Sequence, residues 1–138
     1  MNAPLYTTEI LRLAASLPLE TSLTAPDGRA DKRSPTCGSR IGTEVALDDA
    51  GRVTALAQQV QACAFGQASA ALVQGFAMGR SAQELRAARS ALTAWLKGEQ
   101  EENATFAPLA PARSKTARHG AILLPFDALL AALEDARR

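Results

Sequence analysis

Cys37, Cys63 and His119 are the residues whose types could do chemistry, and the chain has no other cysteine or histidine. Thiolate sulfur and neutral imidazole nitrogen are soft to borderline ligands. They suit zinc, iron or an iron–sulfur cluster and not calcium or magnesium. Cys37 sits in the turn-like stretch Pro35-Thr36-Cys37-Gly38-Ser39-Arg40, where Gly38 lets the backbone turn and leaves the thiol unhindered. Cys63 stands just before the apolar run 64–78, and His119 lies inside Arg118-His119-Gly120. Spacing alone leaves two readings open. Without a C-x-x-C pair, the cysteines also fit the habit of free thiols to fill buried space, and the histidine also fits a helix cap or a surface residue.

The elements that must position these side chains can be read from hydrophobic periodicity. Thr7 or Thr8 can cap a first helix, with Glu9 near its positive end. Ile10, Leu13, Ala14 and Leu17 recur at helical spacing, and Pro18 stops the run. Residues 19–36 read as a surface loop with room for one short strand around 19–23. Ile41, Thr43, Val45 and Leu47 alternate with Gly42, Glu44 and Ala46 as a strand. Asp48-Asp49-Ala50-Gly51 is a hairpin turn, and residues 53–60 pair back. From Cys63 the period changes from two to about 3.6. Phe65, Ala68, Leu72 and Phe76 mark one helix face, and Gly79 ends that helix.

A capping box, Ser81-Ala82-Gln83-Glu84, opens the next helix. Its apolar face is Leu85, Ala88, Leu92, Trp95 and Leu96, and Lys97 and Gly98 close it. Residues 99–105 form a polar loop, and 106–111 a proline-interrupted apolar segment. The last helix carries Leu123, Phe126, Leu130 and Leu133 and starts between His119 and Leu124, with Pro125 in its first turn or at a kink. Cys63 thus falls at the join of a strand and a helix. A thiol there meets unpaired N–H groups and the positive end of the helix dipole. Strands followed by a block of helices predict an α+β fold, a small antiparallel sheet covered on one face by helices and preceded by an N-terminal helix.

Composition narrows the function classes. The 138 residues predict a single domain over 1–138. A hydrophobic share of 47% supports a core. Net charge of +1 argues against a general nucleic-acid or membrane-surface role, and 4% aromatics against a stacking platform for single strands. No apolar stretch nears the ~20 residues that span a bilayer. The first residues carry no secretory pattern, so the chain reads as cytoplasmic, where free thiols and metal ligands outnumber structural disulfides.

Five motifs in order carry a resemblance. They are Leu5-Tyr6 before an apolar helix; Pro35-Thr36-Cys37-Gly38-Ser39; Cys63-Ala64-Phe65-Gly66-Gln67-Ala68-Ser69 at a helix start; Gly79-Arg80-Ser81-Ala82-Gln83-Glu84 between two helices; and Arg118-His119-Gly120-Ala121-Ile122-Leu123. Together, from about residue 5 to 132, they resemble the NifU N-terminal/IscU/SufU-like scaffolds of iron–sulfur cluster assembly. The resemblance implies a non-catalytic scaffold or carrier. Cys37, Cys63 and His119 would be ligands to iron, a [2Fe–2S] cluster or a resting or structural zinc, with Ser39 as a weaker one. It implies a cysteine desulfurase as sulfur donor and apo iron–sulfur proteins as acceptors, with no nucleic acid and no membrane, for a monomer or weak homodimer.

The chain departs from the family at two ligand positions. Ser39 stands where the family has aspartate, and Gly120 where it has a third cysteine that accepts persulfide. The chaperone-binding Leu-Pro-Pro-Val-Lys segment of IscU-type scaffolds is also absent. These departures motivate an alternative, a divergent binding module that docks on or regulates a cysteine desulfurase and keeps only a vestigial or structural zinc site. A thiol enzyme using Cys63 with His119 as base is a third reading, without an identifiable orienting group. Arg113, Lys115 and Arg118 form a basic run that could steer an acidic partner.

Overall fold

The computed structural model describes residues 6–35 and 38–137; Leu5, Thr36 and Cys37 of the motifs above lie outside the described residues. Seven elements and two short 3-10 turns follow one another among the described residues. Helix α1 spans Thr8–Ala15, strands β1, β2 and β3 span Gly28–Arg33, Arg40–Leu47 and Val53–Gln61, and helices α2 and α3 span Ala64–Phe76 and Ala82–Leu96. The 3-10 turns are Ala107–Ala112 and Thr116–Arg118, and helix α4 is His119–Ala136. The α+β expectation holds: a three-stranded antiparallel sheet of order β1-β2-β3 carries helices, with an N-terminal helix before it.

The β2–β3 hairpin forms as its alternation predicts. Ile41, Thr43 and Val45 are buried while Gly42, Glu44 and Ala46 are only partly so. Gly51 closes the turn at φ +78°, a conformation that favours glycine. Asp48 Oδ1 accepts from the N–H groups of Ala50 and Arg52 and fixes the loop.

The first strand is not at 19–23. Leu19 is 98% exposed, and the strand is the charged stretch Gly28–Arg33. It pairs Arg33 with Arg40 and Gly28 with Val45. As an edge strand it needs few apolar residues, and only Gly28 and Ala30 turn away from full exposure. Gly28 is what lets β1 lie against α4, since a Cβ there would stand 2.1 Å from the Ala132 carbonyl oxygen.

Helix α4 is the centre of the molecule and packs on β1, β2, α2 and α3. It is therefore buried on several sides, through Ala121, Ile122, Leu124, Phe126, Ala128, Leu129, Ala132 and Leu133. Leu123 and Leu130, expected on its buried stripe, are only half-buried. Helix α2 packs on β3 and on α1. The sheet's cover is thus α4 and α2, with α3 on α4 in a further layer. Pro125 falls in the second turn of α4, not the first. It leaves the Ala121 carbonyl without its intrahelical N–H donor.

Candidate functional site

Cys63 is the N-cap residue of α2, in extended backbone, and makes no side-chain capping bond. It is half-buried. The first turn of α2 has no acidic residue, so no carboxylate of its own first turn offsets the positive end of its dipole. The Tyr6 ring lies against that of Phe65, the second residue of the same helix, with centroids 5.2 Å apart and planes tilted by 49°. Tyr6 and helix α1 are thereby placed beside the thiol's helix.

His119 opens α4, as one end of the expected range allows. Its Nε2 lies 3.0 Å from the Ala112 carbonyl and 3.1 Å from the Arg113 carbonyl. Both are acceptors, so Nε2 carries the hydrogen and donates. In the neutral ring Nδ1 then keeps its lone pair. An imidazole whose far N–H is tied to a backbone carbonyl is oriented in the manner of metal-bound histidines.

The first turns of α2 and α4 meet. Ser69 Oγ, fully buried, donates to the Ile122 carbonyl at 2.6 Å. A Cβ on Gly66 would stand 3.4 Å from the Ala121 carbonyl oxygen and 3.5 Å from its Cβ. Two helix N-termini without side-chain caps thus converge, one led by Cys63 and one by His119.

The loop before β2 reaches the same end of the sheet. Arg40 pairs with Gln61, two residues before Cys63. Ser34 N–H donates to the Ser39 carbonyl at 2.8 Å, and Gly38 N–H to the Ser34 carbonyl at 3.2 Å, with Gly38 at φ +72°. Ser39 is 4% exposed, and its neighbours already engage it. Asp31 accepts from Arg40 Nε at 2.9 Å, and that bond, with the attraction of the carboxylate, holds Arg40 above the ordinary arginine range.

The residues thus divide. Cys63 and His119 stand at one end of the molecule, and Ser39 lies in the loop at that same end. Gly120 is exposed at the second position of α4 and supplies backbone only. Among the described residues, no three His, Cys, Asp or Glu side chains stand together as a metal cage. Arg113, read as part of a steering run, is engaged instead: its Nε donates to the Trp95 carbonyl at 2.9 Å and its Nη2 to the Gln100 carbonyl at 3.0 Å. The carbonyls that hold His119 had no signal in the sequence, because any residue type can supply one. Among the described residues no helix is long and apolar enough to cross a membrane.

No family model and no curated protein matches the chain. Solved structures do. The N-terminal part of a nitrogen-fixing NifU-like protein from Brucella abortus is 34% identical, with a TM-score of 0.88 over 96% of this chain and 94% of that one. A candidate iron–sulfur cluster assembly scaffold for the SUF system of Fervidobacterium islandicum AW-1 is 17% identical, with a TM-score of 0.82 over 94% of this chain and 96% of that one. A hypothetical protein is 22% identical, with a TM-score of 0.76 over 94% and 97%. The last two show a shared fold.

Proposed function

The chain belongs to the NifU N-terminal/IscU/SufU-like family, and on that premise we propose that it is a scaffold or carrier holding iron, a [2Fe–2S] cluster or a resting zinc on Cys37, Cys63 and His119. The metal or cluster is cargo. The single observation that best supports the reading is the meeting of α2 and α4 through the Ser69–Ile122 bond of 2.6 Å. It brings the thiol's helix end to the imidazole's.

Each residue then has a task. Cys63 offers thiolate where the free N–H groups of α2 stabilise negative charge. His119 offers Nδ1, with its ring fixed by the bonds from Nε2 to the Ala112 and Arg113 carbonyls. Cys37 supplies the second thiolate from the loop that Ser34 and Ser39 close. Ser39, already engaged, is the weaker donor. Gly120 adds no ligand, so one position is filled by water, a small thiol, a partner's residue or a second copy of the chain. A cargo that must leave needs such an open position. Residues 1–138 form one domain, a monomer or weak homodimer, working in the cytoplasm. A cysteine desulfurase supplies sulfur, and apo iron–sulfur proteins receive the product. Scaffolds of this type are not enzymes, and the chain is read in the same way.

The experiment is iron, zinc and acid-labile sulfide content of protein purified without air, with Cys37→Ser and Cys63→Ser alongside. Iron with sulfide, lost in both variants, is the expected result. Full occupancy in either variant would sink the reading. Gly120 favours a second reading, a binding module that docks on a cysteine desulfurase with a vestigial or structural zinc site. It expects desulfurase binding that is indifferent to both cysteines.

A further inference from the structure

A groove of about 680 Å³ runs between β1 and α4. Its floor is apolar, with Leu124, Leu130 and Ala131, and Arg29, Lys32 and Arg33 of β1 stand exposed along one wall. Arg86 and the carboxylates Asp127, Glu134 and Asp135 line it too, and two of the carboxylates face arginines. Asp127 accepts from Arg89 Nε at 2.6 Å, Asp135 from the Arg29 backbone N–H at 3.0 Å, and Glu134 lies 4.0 Å from Arg86 Nη2. The three cationic side chains of β1 have no carboxylate partner among the described residues. With Asp135 the one groove carboxylate that no described arginine or lysine pairs, the three β1 cations leave an excess of positive charge over an apolar floor, on a chain whose net charge is only +1.

The groove also leads to the site. Arg33 is followed directly by Ser34, which closes the Cys37 loop on Ser39. Leu124 lies five residues after His119 and packs on Ile41 and Val60 at the same sheet end. The far end of the groove is Arg29 beside Asp135. A segment lying in it would point its end at Ser34 and Ser39.

We propose that the β1–α4 groove is the docking track for an acidic, leucine-bearing segment of the protein that loads or unloads the site. Carboxylates would meet Arg29, Lys32 and Arg33, and an apolar side chain would rest on Leu124 and Leu130. Electrostatic complementarity of this kind steers encounter and fixes register. The partner's task rests on the scaffold reading above; the binding itself does not.

The test uses the full chain and a fluorescent octapeptide of six glutamates and two leucines, with a lysine-for-glutamate copy as control. Anisotropy should show binding of the acidic peptide only, weakening as salt rises from about 50 to 200 mM. Lys32→Glu/Arg33→Glu should weaken it about tenfold or more, with an unchanged melting temperature because both side chains are exposed. Equal binding of the two peptides by the unaltered chain would overturn the proposal. So would equal binding of the acidic peptide by a folded charge-reversed variant.

Loading the chain chemically with ferric iron and sulfide, which reach the [2Fe–2S] level without a further oxidant, separates the two readings. Peptide binding in a chain that takes up no cluster leaves the groove intact and removes the scaffold. Cluster uptake without salt-sensitive peptide binding does the reverse.

Discussion

The two ends of the sheet treat their helix termini in opposite ways. At the hairpin end the N-terminus of α3 is closed by the protein's own side chains. Ser81 Oγ accepts from Glu84 N–H at 3.2 Å, and Glu84 Oε1 accepts in return from Ser81 N–H at 3.1 Å. Arg52 Nη1 donates to the same carboxylate at 2.7 Å and to the Gly79 carbonyl at 2.8 Å. Gly79 N–H and the Val53 carbonyl join at 2.8 Å. At the other end α2 and α4 begin with no side-chain cap and no acid in the first turn. Helix N-termini carry unpaired donors that something must satisfy. At the hairpin end side chains satisfy them; at the other end no described side chain does, and the His119 N–H bonds the Thr116 carbonyl of the preceding 3-10 turn. Stability and cargo should therefore respond to different mutations.

The largest stability loss should come from the hairpin end. Gly28→Ala places a methyl 2.1 Å from the Ala132 carbonyl oxygen and 2.8 Å from Ala136 N. The backbone of β1 must lift from α4, at about 3 kcal/mol. Thermal or denaturant unfolding should report it, while metal bound per folded molecule stays the same. A loss of metal in the folded fraction would break the division between the ends.

Ser69→Ala is smaller in stability and sharper in meaning. It removes a buried bond between α2 and α4, for about 1 kcal/mol. Here metal retention should fall with it, as the two helix starts separate. Unfolding in denaturant and a chelator competition on the same protein measure both, and unchanged metal affinity would count against convergence of α2 and α4 as the basis of the site.

The smallest effect is a pH signature. The Ser81 backbone N–H, with help from Arg52 and the Ser81 hydroxyl, holds the Glu84 carboxyl below the usual glutamate range. A carboxylate with a depressed folded pKa stabilises above its unfolded value of about 4.3 and loses that contribution as pH falls through the folded pKa. Glu84→Gln should thus lower the melting temperature at pH 7. The difference should shrink as pH drops below about 4, with no change in metal content. A gap that persists at low pH would mean the ionised form is not what matters.

How far the sequence foretold this arrangement depends on how local each signal was. The hairpin, the capping box and the joint at Cys63 rest on neighbours within a few residues, and they stand where periodicity put them. Strand β1 rests on distant partners. Its stretch Gly28-Arg29-Ala30-Asp31-Lys32-Arg33 has no apolar alternation because one edge and one face meet water. The leucines at 19 and 23 drew the expectation away from it. Helix α4 misled in the other way. A single stripe was expected, yet four elements surround it, so burial spreads round the helix. At the site, the helix-end placing of Cys63 and His119 was legible. What holds the imidazole was not, since two carbonyls of a 3-10 turn leave no mark in residue types.

The central place of α4 also sets an order of events. It is made after every other element, yet it covers β1 and β2, about 90 residues earlier. Until α4 docks, Ile41 and Val45 have no cover, and the half-made chain exposes an apolar sheet face. Contacts of such sequence separation form slowly and invite association meanwhile. His119 arrives on the same helix that completes the core. The chain therefore cannot offer its imidazole in a fixed pose before α4 has docked.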